Sequence, residues 1–221
     1  MLKTAIILGA TGLTGGILLQ QLLHDERYAK IKLFSRQRVP ISNPKIEEHI
    51  IDLLKLKEYA DHFVADEVFC CIGTTKAKTP DQELYYKIDY GIPVNAAQLC
   101  KVNGIPTFIV ISALGAHPES AIFYNRTKGK MENAIIALHL PKTHILQPSL
   151  IGGSRTEKRL GEYLFKIMMK VIQPLLIGAL KKYRMIPPET IVSAMIWLAN
   201  NKCSNLRIES DELKQISKYQ K

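Results

Sequence analysis

Thr4-Ala5-Ile6-Ile7-Leu8-Gly9-Ala10-Thr11-Gly12-Leu13-Thr14-Gly15 decides how the rest of the 221-residue chain is read. An apolar, β-type run meets a glycine at every third position and then gives way to Ile17-Leu18-Leu19-Gln20-Gln21-Leu22-Leu23. That is the order strand, glycine turn, helix. Glycines let the backbone turn tightly and approach a ligand with no Cβ in the way, while the N–H groups and dipole at a helix start favour phosphate there. The spacing is G-x-x-G-x-x-G rather than the more familiar G-x-G-x-x-G, so the flanks and not the glycines alone identify a dinucleotide-binding turn.

The length suits one α/β domain with a modest extension, and neither low-complexity blocks nor internal repeats interrupt it. A formal net charge of +10 is the compositional oddity. It favours phosphate-bearing ligands, but no Lys/Arg run of nucleic-acid type is present, so no nucleic-acid partner is expected. The four cysteines show no pairing or metal-site spacing. Met1-Leu2-Lys3 and the following run read as the first strand rather than a secretory signal, so the expectation is a cytoplasmic protein. The histidines are scattered, and His139 and His144 read as surface or strand-edge residues rather than metal ligands.

Further along, Lys30-Ile31-Lys32-Leu33-Phe34 alternates as a second strand. An NAD site carries a carboxylate about 20 residues beyond the glycines, for the ribose 2′-hydroxyl, whereas an NADP site carries a cation for the 2′-phosphate. Ser35-Arg36-Gln37-Arg38 stands there, which favours NADP(H); the bland alternative is a pair of solvated loop arginines. His49-Ile50-Ile51 is a short strand candidate and Leu54 to Phe63 a helix. Glu67 to Ile72 is a buried parallel strand ending in Gly73-Thr74-Thr75. Lys76 to Tyr86 reads as loop, Tyr90 to Val102 as helix, and Thr107 to Ile111 as the fifth strand, which brings Ser112 to the same sheet edge as Gly73.

Phe123-Tyr124-Asn125-Arg126-Thr127-Lys128 opens a helical pattern that puts Tyr124 and Lys128 on one face at i, i+4. An ammonium beside a phenol favours the phenolate, and such a tyrosine can exchange a proton with a substrate oxygen. Ser112 could polarise the same oxygen by donating a hydrogen bond. Composition alone yields about one Y-x-x-x-K by chance. A second copy, Tyr28 to Lys32, straddles a helix end and a strand start, so it is set aside.

Thr143 to Gln147 is a sixth strand, followed by Pro148-Ser149-Leu150-Ile151-Gly152-Gly153. Arg155 to Tyr163 is polar, Leu164 to Leu180 apolar, and Lys181-Lys182-Tyr183-Arg184 basic. Lys166, Lys170 and Pro174 break the apolar stretch, so it does not reach the roughly 18 uncharged residues of a membrane span. A lid over an apolar small-molecule pocket is the favoured reading, with Arg155 or Arg184 available for an acidic group; membrane-surface contact by an interfacial helix is the less favoured one. Pro187-Pro188-Glu189 starts a helix to about Ala199, Leu206 to Ile208 is an edge strand, and a polar, mobile tail begins at Asp211.

In order and spacing these motifs resemble the short-chain dehydrogenase/reductase superfamily, in its small, atypical NAD(P)H-binding branch, that of the human Tat-interacting protein and bacterial relatives. The resemblance covers nearly the whole chain. It rests on the glycine turn, Ser35-Arg36, Asp52-Leu53, Cys71-Ile72-Gly73-Thr74, Ser112, Tyr124-x-x-x-Lys128, Pro148-Ser149-Leu150 and Lys182 to Pro187. It implies that Gly9, Thr11, Gly12, Leu13, Thr14 and Gly15 hold the pyrophosphate, and that Ser35 and Arg36 hold the 2′-phosphate. Asp52 and Leu53 would meet the adenine, Cys71, Ile72, Gly73 and Thr74 would border the ribose, and Pro148, Leu150 and Ile151 would flank the nicotinamide. Tyr124 is implied as acid/base, Lys128 as the group that lowers its pKa, and Ser112 as the group that orients the substrate oxygen. The pattern departs at Asp89, where many members carry asparagine.

The expected molecule is a single doubly wound Rossmann-type domain over residues 1–221, with a substrate or lid insertion at roughly 153–186. It would work as a monomer or homodimer, reducing a carbonyl or related group with NADPH. A cofactor-binding redox sensor with little turnover and a nucleotide-sugar-type epimerase or isomerase are the competing expectations.

Overall fold

The computed structural model describes residues 2–152 and 178–220. Seven strands form one sheet in the order β3-β2-β1-β4-β5-β6-β7, every neighbouring pair parallel. They are β1 Lys3–Leu8, β2 Tyr28–Ser35, β3 Ile46–Ile50, β4 Glu67–Cys70, β5 Thr107–Ile111, β6 Lys142–Gln147 and β7 Arg207–Glu209. Among the described residues the α-helices are α1 Leu13–His24, α2 Gln82–Tyr86, α3 Ile92–Val102, α4 Phe123–Ile136, α5 Pro188–Asn200 and, after β7, α6 Ser210–Ile216.

Side chains alternate across the sheet, so each apolar strand feeds two cores. Ile7, Leu33, Phe69, Ile109 and Leu146 pack with Leu18, Leu19 and Leu22 of α1, Val192 and Met195 of α5, and Leu213 of α6. Ile6, Phe34, Val68, Phe108, Val110 and Ile145 face the other way, onto the 3-10 segment Leu53–His62, α3 and α4. Because the chain runs outward from β1 to β3 and then returns to β4, the crevice at the carboxyl ends of β1 and β4 is the topological switch point, where such sheets bind ligands.

Four expectations need correction. The polar stretch before Tyr86 is not all loop. Asp81 Oδ1 accepts from Leu84 N at 2.9 Å and starts a helix at Gln82, and a π-type turn, Lys87–Gly91, joins it to α3. The extra residue in that turn breaks the 3.6-residue period, which is why the pattern reads as helical only from Tyr90. The tail beyond Asp211 is α6, held down by Leu213 and Ile216, with the Tyr219 ring 6.0 Å from that of Trp197. His144 is not at the surface. It lies in β6 between β5 and β7 and is 2% exposed.

Tyr28 lies within β2 rather than at a helix end, and its phenol donates to the buried Glu67. Burial, and then the Glu67 charge, push its pKa up, the opposite of what an acid/base tyrosine requires. Arg155 to Tyr163 and most of the apolar run after it lie outside the described residues. Gly178–Tyr183 is a 3-10 turn, and Ile186 bridges to Ile151 and is buried in the core. Among the described residues no helix is long and apolar enough to cross a membrane.

Candidate active site

The glycine turn follows β1 directly. Gly9 has φ +89°, a left-handed conformation that L side chains rarely adopt, and a Cβ there would lie 3.0 Å from the Cys71 carbonyl oxygen. Gly15 is a second necessity, since a Cβ on it would come within 2.2 Å of the Gly9 oxygen. Gly12 N donates to that same oxygen at 3.0 Å, closing the turn. No side chain caps α1 and no acidic residue stands in its first turn. The N–H groups of Leu13, Thr14 and Gly15 therefore begin a helix with no side-chain acceptor, the arrangement that receives a phosphate. Thr11 and Gly12 are exposed at its rim.

At the end of β2, Ser35 is buried and its hydroxyl donates to Gln37 O at 2.7 Å. This shapes the loop that carries Arg36 and Arg38, both exposed. Asp52 caps the following 3-10 segment through Oδ1, which accepts from Leu54 N at 3.0 Å, while Leu53 beside it belongs to the core.

Across the switch point, Cys71 N donates to Leu8 O at 2.9 Å, and the strand end runs on through Ile72 and the exposed Gly73 to Thr74. A Cβ on Gly73 would stand 3.6 Å from Asp89 Oδ1 and 3.9 Å from Lys128 Nζ. Those are ordinary contact distances, so the sheet edge at Gly73 packs directly against the two groups. Lys128 Nζ meets Asp89 Oδ1 at 3.0 Å as an ion pair, with both side chains buried. Asp89 Oδ1 makes no well-aligned hydrogen bond, whereas Oδ2 accepts from Thr74 N at 2.7 Å. Burial disfavours the Lys128 ammonium, but Asp89 and then Tyr124 outweigh it, and its pKa is raised.

Tyr124 and Lys128 lie one turn apart on α4, the first 38% exposed and the second buried. Gly129 lets that helix seat closely, because a Cβ there would fall 2.2 Å from the His117 carbonyl carbon. Helical spacing places Tyr124 and Lys128 on a common face, but nothing in the sequence marks Asp89 as the lysine's partner beyond its departure from asparagine. A second carboxylate is missed altogether. Ser112 is buried and donates to Glu132 Oε1 at 2.5 Å. Glu132 also accepts from Gln147 Nε2 at 2.9 Å and from Arg207 Nε at 2.7 Å. A serine hydroxyl has one proton, so while that bond holds Ser112 has none to donate to a substrate oxygen.

Beyond β6, Pro148 is buried and its carbonyl accepts from Leu114 N at 3.0 Å. Leu150 is exposed, and Ile151 pairs with Ile186. Ser149 anchors the segment by donating to Arg184 O at 2.5 Å.

A doubly wound parallel sheet, a glycine turn against an uncapped helix at its switch point and a Tyr/Lys helix at the same edge define a dinucleotide-binding protein of short-chain dehydrogenase type. Comparison with known proteins agrees: residues 9–160 match the family model described as NAD(P)H-binding, and the chain belongs to that family. It is 31% identical to the rat protein HTATIP2 over 166 residues, spanning 73% of this chain and 68% of that one. It is 35% identical to the mitochondrial protein FMP52 of Debaryomyces hansenii over 159 residues, 71% of this chain and 70% of that one. The Thermotoga maritima UDP-glucose 4-epimerase, solved with UDP-glucose, superposes with a TM-score of 0.70 at 13% identity, covering 98% of this chain and 82% of its own; a likeness so distant shows the fold alone. The cytoplasmic location expected from the sequence is overturned here, because the FMP52 proteins of several fungi are named as mitochondrial.

Proposed function

We propose that this chain is an NADP(H)-dependent oxidoreductase acting on a carbonyl or related small-molecule group, with Tyr124 as its acid. The observation that carries the reading is the closeness of Gly73, on the cofactor edge of the sheet, to Lys128 on the helix that bears Tyr124. The residues fit a dinucleotide. The tight turn that Gly9 and Gly15 permit sets the uncapped start of α1 at the switch point, where a pyrophosphate would be received, and Arg36, exposed after β2, would supply the cation that a 2′-phosphate needs.

A nicotinamide held by these residues would supply a hydride. Tyr124 gives its proton to the substrate oxygen and regains one from solvent, to which it is open. Lys128, paired with Asp89, lies beside Gly73 at the edge where the ribose would sit. Ser112, its proton on Glu132, offers only its oxygen as an acceptor.

A second reading, a cofactor-binding sensor with little turnover, draws support from one feature. Both helpers of Tyr124 are already engaged by buried carboxylates, Lys128 by Asp89 and Ser112 by Glu132. The deciding experiment has two parts. NADPH should raise the melting temperature more than NADH at equal concentration, because ligand bound to the native state adds apparent stability. A panel of aldehydes, ketones and quinones should then reveal NADPH oxidation that Tyr124→Phe abolishes while NADPH binding stays intact. Stabilisation without oxidation of NADPH by any panel member would favour the sensor.

A further inference from the structure

Asp89 is the feature of the site that the reductase reading does not use. Its two oxygens divide the work. Oδ2 is tied to the backbone of the cofactor edge through Thr74 N at 2.7 Å, and Oδ1 lies 3.0 Å from Lys128 Nζ. Both partners are sealed from water, with 3% and 0% side-chain exposure. The π-type turn at Lys87–Gly91 contains Asp89 and sets its side chain toward α4.

A lone buried ammonium one helical turn from a phenol stabilises the phenolate strongly. An ammonium with a carboxylate at 3.0 Å acts on the phenol as a dipole rather than as a single charge, so the carboxylate offsets part of the ammonium's field there. We propose that Asp89 is a positioning residue that holds Lys128 charged while offsetting part of its field at Tyr124, so that Tyr124 gives up its proton only at higher pH than the Tyr/Lys spacing alone would set. The proposal rests on Tyr124 being the site acid. Its consequence is a Tyr124 that stays protonated over a wider pH range, so that the phenolate which alcohol oxidation requires forms only at higher pH.

The other groups that bear on this charge do not replace Asp89. Cys70, on β4, faces Lys128 and Asp89, but burial pushes its thiol up to about 11 and keeps it neutral. Tyr85, on α2, feels Asp89 and Tyr124, and burial drives its pKa up as well. The Ile111 carbonyl lies at 3.5 Å from Lys128 Nζ and carries no net charge. Among these groups the Asp89 carboxylate is the one full countercharge to Lys128.

The test reads Tyr124 itself and needs neither substrate nor cofactor, so its failure is distinct from a failure to find turnover. Tyrosine labelled with carbon-13 at Cζ is followed by NMR between pH 6 and 12, with Tyr124 assigned from the signal lost in Tyr124→Phe. In Asp89→Asn the Tyr124 midpoint should fall by about one pH unit or more. In Asp89→Asn with Lys128→Met, which removes both charges, it should return to within about half a unit of the native value, since the residual dipole of the pair acts less on the phenol than a lone ammonium does. Near-ultraviolet circular dichroism establishes that each variant is folded. If Asp89→Asn is misfolded, Asp89→Ser and Asp89→Gly are read in its place under the same criterion. A native midpoint unchanged in the folded single variant, or one that rises by about a unit or more in the double variant, overturns the proposal: the first says Asp89 does not mask the lysine, the second that Lys128 acts on Tyr124 unmasked.

Discussion

Ser112 and Glu132 share a proton-donating hydrogen bond of 2.5 Å at the carboxyl end of β5, and Glu132 gathers Gln147 and Arg207 onto the same carboxylate. Every partner is a donor, which only a charged carboxylate can satisfy throughout. Glu132→Gln would turn an amide N–H₂ toward donors and leave at least one buried group unpaired, so it should cost about 1–3 kcal/mol. Arg207→Ala should cost less, because Arg207 is 43% exposed at its side chain and Ser112 and Gln147 remain on the carboxylate. Urea denaturation of the two variants checks the order; equal losses would mean that the Arg207 pair, and not the buried network, is the important part.

The Gly15 and Gly9 contact makes a prediction about folding and cofactor together. A methyl at position 15 would sit 2.2 Å from the Gly9 oxygen, so Gly15→Ala must push the turn and α1 apart. Overpacking of this kind costs about 1–3 kcal/mol. NADPH and NADH should weaken in parallel, because the pyrophosphate is common to both. Thr11→Ala, at an exposed position of the same turn, should leave stability within about 0.5 kcal/mol of native. Thermal melts with and without each cofactor separate the two cases.

Arg36 is expected to act on one cofactor only. A charge-assisted hydrogen bond to the 2′-phosphate is worth about 1.5–3 kcal/mol, so Arg36→Ala should weaken NADPH by about 10- to 150-fold and leave NADH nearly unchanged. The residue is exposed, so its removal should not move the melting temperature of the cofactor-free protein. Isothermal titration with both cofactors is the measurement. Equal losses for both would remove Arg36 from the 2′-phosphate.

The glycine turn, six of the seven strands and the common helix of Tyr124 and Lys128 are legible in the sequence because each is local. Apolar runs of four to six residues bounded by glycine or proline announce buried parallel strands. Strand β3 is visible only at its end, since Glu47, Glu48 and His49 give an edge strand little apolar character. Contacts between distant segments are not legible in this way. Asp89 to Lys128 spans 39 positions and a π-type turn that the helical period does not register. Glu132 reads as a helix-surface charge in α4, and only the sheet register brings Ser112, Gln147 and Arg207 around it. Leu213 and Ile216 are too few to signal burial in a polar tail, yet α5 supplies the surface that covers them.

His144 yields the last prediction, on stability against pH. Its Nδ1–H donates to Asn205 O at 2.8 Å, which fixes the tautomer and leaves Nε2 as a bare lone pair. That atom is buried with no hydrogen-bond partner. Burial first, and then the charge of Lys142, disfavour the imidazolium, and they outweigh the Asn205 hydrogen bond, which favours it; the pKa lies below the ordinary 6.5. In the window between that lowered value and 6.5 the unfolded chain binds the proton and the folded chain does not, so stability falls as pH drops through it. Above 6.5 both states are neutral at this residue and the contribution is constant. His144→Gln should therefore flatten the fall in unfolding free energy between pH 7.5 and 5, measured by urea titration at each pH. A curve as steep as the native one would assign that acid sensitivity to other groups.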